Sequence, residues 1–353
     1  PISGDKTRNL KGAGSGYFLT FNRNKRSIAV DVKSKEGKEI VLKLLAESDV
    51  FIENFRSGAM EKLGLGYNDL KPLNPKLVYC SAKGFLEGPY QDRTALDEVA
   101  QMMGGLAYMT GPPGQPLRAG SSVIDIMGGM FGAIAILAAI QERQVSGRGQ
   151  KVTSALFENV VYLMGQHMAQ TATTGMPTPP MSVRVSAWAV YDIFETKDDE
   201  QVFVGVVSDS QWKSFCEAFD LIEFIEDKTM DLNANRVAKR DFIIPRIKQL
   251  FKQYDKQDLM EKLEQTGLPF APISTPEDLF EDPHLNDSGG LLDIDLPQGG
   301  QTKLPALPIQ MQGNRFGVKH QVPKLGEHTR EVLQELGFDD VSIDQMIEAS
   351  LVT

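Results

Sequence analysis

Alternating and helical spacings of apolar residues trade places along the first half of the chain. Residues 26–32, Arg-Ser-Ile-Ala-Val-Asp-Val, carry the β-branched alternation of a strand. Ser34 follows as an N-cap, with Glu36 in the first turn and Ile40, Val41, Leu44 and Leu45 at helical spacing. Residues 49–55 predict the next strand. A short helix from about Ala59 to Leu63, a turn at Gly64 to Gly66, a helix ending before Pro75 and a third strand at residues 76–81 come after it. Strand, helix and strand in that order predict right-handed crossovers and a parallel sheet covered by helices.

From Thr94 the pattern is helical, through Val99, Met102 and Met103 to Gly104 and Gly105. A loop at residues 111–114 precedes a long apolar helix from near Asp125 to about Gln144, and the glycines of Ser146-Gly-Arg-Gly149 suit its C-terminal turn. A further helix is predicted from about Ser154 to Thr171, and Pro177, Pro179 and Pro180 read as a linker. Beyond it the character changes. Residues 187–194 and 202–207 predict paired strands around the acidic turn 197–200, followed by helices near 212–219, 241–254 and 257–266. A short strand at 269–273, a glycine-rich stretch at 289–300 and a last helix near 327–336 complete the chain. The fold class is α/β, with two lobes changing over at about residue 180.

Composition narrows the function classes. The chain has 353 residues, 41% hydrophobic and 24% charged, which is ordinary for a globular protein of about two domains. A net charge of −10 disfavours non-specific binding to nucleic acid or an anionic membrane, yet leaves room for a small basic pocket that holds a phosphorylated ligand. Cys80 and Cys216 are too few for a disulfide framework and point to a reducing compartment. His167, His284, His320 and His328 lie too far apart for a zinc signature, so no metal is expected. The apolar stretch 124–140 contains Asp125 and is interrupted by Gly128, Gly129 and Gly132, which argues against a membrane span. A cytoplasmic protein is expected. The opening residues, Pro1 to Asp5, lack an initiator methionine and read like the middle of a protein.

Asp125 is the leading chemical candidate. A carboxylate at a helix start is stabilised as an anion by the unpaired N–H groups and the dipole there. Covalent acyl transfer by a carboxylate needs that ionised form. Gly128 and Gly129, one turn on, remove side chains that would block a thioester. A plain N-cap is the alternative. Lys83 follows a predicted strand end, where open parallel sheets bind ligands, and a solvated lysine is its alternative. Arg118, just before Asp125, is a candidate partner for an acceptor carboxylate. Glu87 is read either as a second active-site carboxylate or as an exposed loop acid.

Seven stretches together resemble the family III CoA-transferases, which include formyl-CoA transferase, carnitine CoA-transferase and α-methylacyl-CoA racemase. They are residues 4–8 (Gly-Asp-Lys-Thr-Arg), 21–32, 53–58 (Glu-Asn-Phe-Arg-Ser-Gly), 74–79, the Asp125 helix start, 146–150 (Ser-Gly-Arg-Gly-Gln) and 325–329 (Leu-Gly-Glu-His-Thr). They span the chain in the family's order. The resemblance implies a large CoA-binding lobe at 1–180, a small α+β lobe at 181–300 and a return segment at 301–353 packing on the large lobe. It also implies an interlocked homodimer, and an N-terminal strand–helix–strand ahead of Gly4-Asp5 that supplies part of the site.

By the same resemblance Asp125 matches the catalytic aspartate. Lys83 and Phe85 match CoA contacts, Asn54, Phe55 and Lys62 match the cradle of the nucleotide end, and Tyr17 matches an aromatic near the acyl site. The implied activity moves CoA from an acyl-CoA to a small carboxylic acid through aspartyl anhydride and aspartyl-CoA intermediates. Coenzyme A enters as acyl-CoA substrate, with no permanently bound cofactor. The rivals are a racemase on the same fold and a non-catalytic CoA-binding protein. Family racemases carry a His-Asp pair where this chain has Thr94-Ala-Leu-Asp97, with Leu96 in place of the histidine. Formyl-CoA transferase has a glycine-run loop where residues 175–190 here carry prolines and Ser182-Val-Arg-Val-Ser186, which argues against formyl-CoA and oxalate as the pair.

Overall fold

Ser34 starts helix α1 (Lys35–Glu47) as its spacing predicts, its Oγ accepting the Gly37 N–H at 3.0 Å. The computed structural model describes residues 1–184 and 186–353, so Val185, within the 182–186 stretch, lies outside the described residues. Three strands, β1 (Val50–Glu53), β2 (Val78–Lys83) and β3 (Lys151–Ala155), form a parallel sheet in the order β1-β2-β3. The register pairs Phe51 with Tyr79, Glu53 with Ser81, and Ser81 with Thr153, so these residues share one face. Phe51 and Tyr79 pack there with Leu45, Met60 and Leu70. Helices cover the sheet, and the fold class is the expected α/β.

Helices α2 (Ala59–Lys62) and α3 (Asp97–Met103) precede the long helix α4 (Val123–Ser146). That helix lies on the other face of the sheet: Ser154 Oγ donates to the Gly128 carbonyl at 2.9 Å. Helix α5 (Leu156–Thr174) closes a small core in which Ala100, Ile124 and Val160 are fully buried. A Cβ at Gly104 would sit 2.0 Å from Val160 Cγ1, so only glycine lets the end of α3 approach α5 this closely. With 24 residues α4 is longer than the 124–140 stretch suggested, and by length and composition it could cross a membrane. In the fold it rests on the sheet along one side, while Met130, Ile134 and Leu137 remain exposed on the other.

Two units are distinguished, one of Pro1–Arg184 with Leu291–Thr353, the other of Val185–Gly290. In the second, β4 (Tyr191–Glu195), β5 (Gln201–Gly205) and β6 (Phe270–Pro272) form an antiparallel sheet. Helices α6 (Asp209–Ala218), α7 (Arg240–Phe251) and α8 (Lys256–Glu264) pack on it through Phe194, Trp212, Phe215, Ile247 and Phe251. The first unit continues with the hairpin β7 (Leu291–Asp295) and β8 (Gln301–Pro305), then α9 (Thr329–Glu335) and α10 (Asp340–Glu348).

Three local expectations need correction, the first being that the helix near 327–336 is the last, because α10 follows it. Residues 26–32 form no strand: Val30 makes a single antiparallel bridge to Val352, with Asp31 N–H on Leu351 O at 2.9 Å and Thr353 N–H on Ala29 O at 3.1 Å. Their partner is the last few residues of the chain, too short to carry a ladder. Their apolar side chains serve instead a core of Val30, Ile40, Leu333 and Ile343. Conversely β3 was not legible, because Lys-Val-Thr-Ser-Ala has only one large apolar side chain and owes its register to β2.

Candidate active site

The first turn of an α-helix leaves backbone N–H groups without partners. At the start of α4 the Ser122 side chain caps none of them; its Oγ meets Tyr17 Oη at 2.9 Å instead. Asp97 does the capping from the start of α3. One carboxylate oxygen accepts the N–H groups of Ile124 and Asp125 at 2.9 and 3.2 Å. The other accepts Gln101 Nε2 at 2.6 Å and lies 3.5 Å from the Arg118 guanidinium. Gln101 Oε1 in turn takes the Ala119 N–H at 2.8 Å. Asp97 and Gln101 are 6% and 0% exposed, so this network is a buried clamp on the segment that presents Asp125.

Asp125 itself is open to solvent, although protein crowds one side of it. Its pKa is raised above the ordinary carboxylate value, by desolvation first and by the Asp97 charge second, with Arg118 pulling it back. The helix-start N–H groups expected to stabilise its anion are therefore spent on Asp97, and the nearby cation takes over that part. The glycines divide as well. A Cβ at Gly128 would come 3.2 Å from Leu156 Cδ2, so that glycine serves packing, whereas Gly129 faces open space.

A second cluster forms at the C-terminal ends of β1 and β2. Glu53, 5% exposed, accepts hydrogen bonds from Ser81 Oγ and, at 2.8 Å, from the Phe55 N–H. Lys83 Nζ lies 2.8 and 3.0 Å from the two Glu53 oxygens and donates to the Phe55 carbonyl at 2.5 Å. The pair pins the turn that carries Asn54 and Phe55, and Phe55 is 55% exposed there rather than part of the core. Phe85 is buried, its ring 5.7 Å from Tyr90 and 5.6 Å from Phe157. Glu87 and Lys62 are exposed. A cleft of about 290 Å³ is lined by Glu53, Gly58, Ser81, Lys83, Phe85 and Glu87.

Gly84 links the clusters: a Cβ there would lie 2.3 Å from Ala95 Cβ, so the loop after β2 runs directly against the segment leading to Asp97. A larger cavity of about 500 Å³ opens where β1 and β2 begin, beside Asp49, Lys76 and Arg143. The Arg143 guanidinium is already held there by Asp49 at 2.8 Å and the Lys76 carbonyl at 2.9 Å. Ligands of open parallel sheets bind at the opposite, C-terminal strand ends, which favours the smaller cleft. The structure thus gathers Tyr17, Arg118 and Asp125 at one place and Asn54, Phe55, Lys83, Phe85 and Glu87 at another, with Lys62 on the short helix α2 beside the second. Sequence reasoning missed Asp97, Gln101 and the partner role of Glu53. Among the described residues no group of three His, Cys, Asp or Glu side chains is placed to hold a metal.

The whole chain resembles known proteins in sequence and in fold. The sequence profile of the family described as CoA-transferase family III matches residues 1–329. The succinyl-CoA:glutarate CoA-transferase of Homo sapiens is 30% identical over 370 residues, covering 100% of this chain and 82% of that protein. The succinate–glutarate CoA-transferase of Agrobacterium fabrum is 32% identical over 350 residues, covering 95% of this chain and 87% of that enzyme. Among solved structures, a CAIB/BAIF family protein from Brucella suis superposes with a TM-score of 0.81 at 32% identity, over 95% of this chain and 89% of that one. The chain belongs to the CoA-transferase family III, and it is a CoA-transferase.

Proposed function

We propose that the protein moves CoA between dicarboxylic acids, with Asp125 as the covalent carrier. The observation that carries this reading is the Asp125 carboxylate, open to solvent and flanked by a cation, Arg118, that also touches Asp97. The donor is read as succinyl-CoA and the acceptor as a dicarboxylate such as glutarate, from the substrates named in two relatives.

The chemistry conserves the thioester through four exchanges. A carboxylate oxygen of Asp125 attacks the donor thioester carbonyl, the C–S bond breaks, and CoA thiolate leaves a mixed anhydride. The thiolate attacks the aspartyl carbonyl, the anhydride C–O bond breaks, and the donor acid departs from an aspartyl-CoA thioester. An acceptor carboxylate attacks that thioester and releases the thiolate, which then attacks the acceptor carbonyl and frees Asp125. No proton is moved, and nothing but the two acids and CoA is consumed or formed. The site must exclude water during the anhydride stages.

Arg118 is assigned the distal carboxylate of the acid, and Tyr17 the wall of the acyl site. Phe55 offers an exposed face to the adenine, Asn54 a polar contact, and Lys62 a point charge to a phosphate. Lys83 is assigned the positioning of that turn as well as CoA contact, because Glu53 already neutralises it. Phe85 shapes the cleft from within the aromatic cluster, and Glu87 lies at its rim. The protein is read as a cytoplasmic homodimer, with a partner subunit covering the exposed apolar side of α4 and Tyr162 and Met168 of α5.

The test of function is acyl exchange in deuterated water. With succinyl-CoA and glutarate, mass spectrometry should find glutaryl-CoA without α-deuterium. Rapid deuterium uptake with no acyl exchange would mean a racemase, a class that Leu96 disfavours because leucine cannot carry a proton. The two lysines should separate in a further test. Lys62→Ala should raise the KM for acyl-CoA on the order of tenfold and leave the melting temperature alone, as one charge-assisted contact implies. Lys83→Met should also lower the unfolding free energy, by about 3 kcal/mol, because it strands the Glu53 carboxylate in the interior. Urea unfolding of both variants beside the wild type would check this; equal stability would return Lys83 to a solvated role.

A further inference from the structure

We propose that Asp97 is a positioning residue for Asp125, holding the first turn of α4 and keeping Arg118 in reach while the Asp125 charge comes and goes. The inference rests on the reading of Asp125 as the carrier. Its grounds are geometric. A helix ordinarily supplies its own cap from the residue that precedes it, and here Ser122 makes no such bond. The cap comes instead from a side chain twenty-seven positions upstream, and one oxygen takes both the Ile124 and the Asp125 N–H. Because one of these donors belongs to the reacting residue, a displacement of Asp97 is a displacement of Asp125.

The second oxygen explains the loop. Gln101 bridges from Asp97 to the Ala119 N–H, and Arg118 donates to the Ala119 carbonyl at 3.2 Å while facing Asp97. When Asp125 becomes an anhydride or a thioester its negative charge disappears, and with it the attraction it exerts on Arg118. Asp97 keeps its charge throughout the cycle and holds the guanidinium where the next acid must dock. Its charge also adds to desolvation in raising the pKa of the nucleophile, against the pull of Arg118. The charged or titratable groups around Asp125 are Asp97 from α3 and Arg118 from the preceding loop, with Tyr17 reached through Ser122. Glu158, at the start of α5, is turned to the Leu86 N–H at 3.2 Å.

The experiment compares Asp97→Asn and Asp97→Ala with the wild type, following acylation of Asp125 by succinyl-CoA in single turnovers across pH. Hydroxylamine trapping and peptide mass identify the acylated residue. Asparagine keeps an acceptor for the helix N–H groups but drops the charge, so its acid limb should move to lower pH while the KM for acyl-CoA stays within about twofold. Alanine removes the acceptor too, and kcat should fall on the order of tenfold further, the scale set by small misplacements of a reacting group. Both variants should melt as single transitions. If Asp97→Ala is too unstable to assay, the asparagine variant decides alone. An acid limb that stays put in Asp97→Asn overturns the proposal, even if kcat is lower. Failure of the wild type to acylate Asp125 is a different result: it removes the carrier reading and this inference with it.

Discussion

If Asp125 is the proposed carrier, Asp125→Ala should remove CoA exchange, with kcat lower by at least about 10³-fold, because covalent carriage would have no substitute in the cluster. Asp97 is buried and occupied by four donors, and Glu87 lies on a loop outside that cluster, so neither can take over. Wild-type enzyme incubated with succinyl-CoA and then hydroxylamine should carry a hydroxamate on the peptide containing Asp125, and the alanine variant should carry none. A fully active variant would sink the mechanism. Asp125→Asn, equally inactive, makes a second point through stability. Burial and Asp97 raise the Asp125 pKa in the folded protein, so folding favours its protonated form. That contribution is present in full at low pH and is lost as pH rises through the folded pKa. At neutral pH the asparagine variant should therefore melt at a higher temperature than the wild type, and the gap should narrow as pH falls. An asparagine variant less stable than wild type at pH 7 would mean that Arg118 outweighs both raising effects.

The helices and strands around the site were largely legible because their signals are local. Ser34 caps α1 through its own third neighbour, and the strands expected at 49–55 and 76–81 pair with each other in parallel, over 50–53 and 78–81, as their order implies. What the chain hides is anything decided by a distant partner. Residues 26–32 alternate like a strand, yet only the last residues of the chain lie beside them. β3 reads as a loop end until β2 is placed next to it.

The same division runs through the site. Asp125 is singled out mainly by the resemblance, since an acid at the start of an apolar helix suits a plain N-cap as well. Asp97 is not, for it reads as an ordinary first-turn acid of α3, where Asp and Glu are expected anyway. Nothing within a few residues of it tells that its oxygens point at another helix. Glu53 shows the converse error: it belongs to a quoted motif, but its use, neutralising Lys83 and fixing the Phe55 turn, needs the cross-strand register of Glu53 with Ser81.

Replacing Arg118 is the sharper test of specificity. Arg118→Met should raise the KM for glutarate by about tenfold to a hundredfold, the value of a charge-assisted contact to a carboxylate. The KM for butyrate, which lacks the second carboxylate, should change little, so the preference for dicarboxylates over monocarboxylates should collapse. Arg118→Lys keeps the charge without the planar fork and should fall between the two. One complication has a known sign. Arg118 lowers the Asp125 pKa, so its loss pushes that pKa further up and moves the acid limb of kcat to higher pH. Assays should therefore sit on the alkaline plateau of each variant, where Asp125 is fully ionised and only recognition differs. If glutarate and butyrate then lose ground equally, Arg118 acts through Asp125 and not on the substrate, and the distal carboxylate must be held elsewhere.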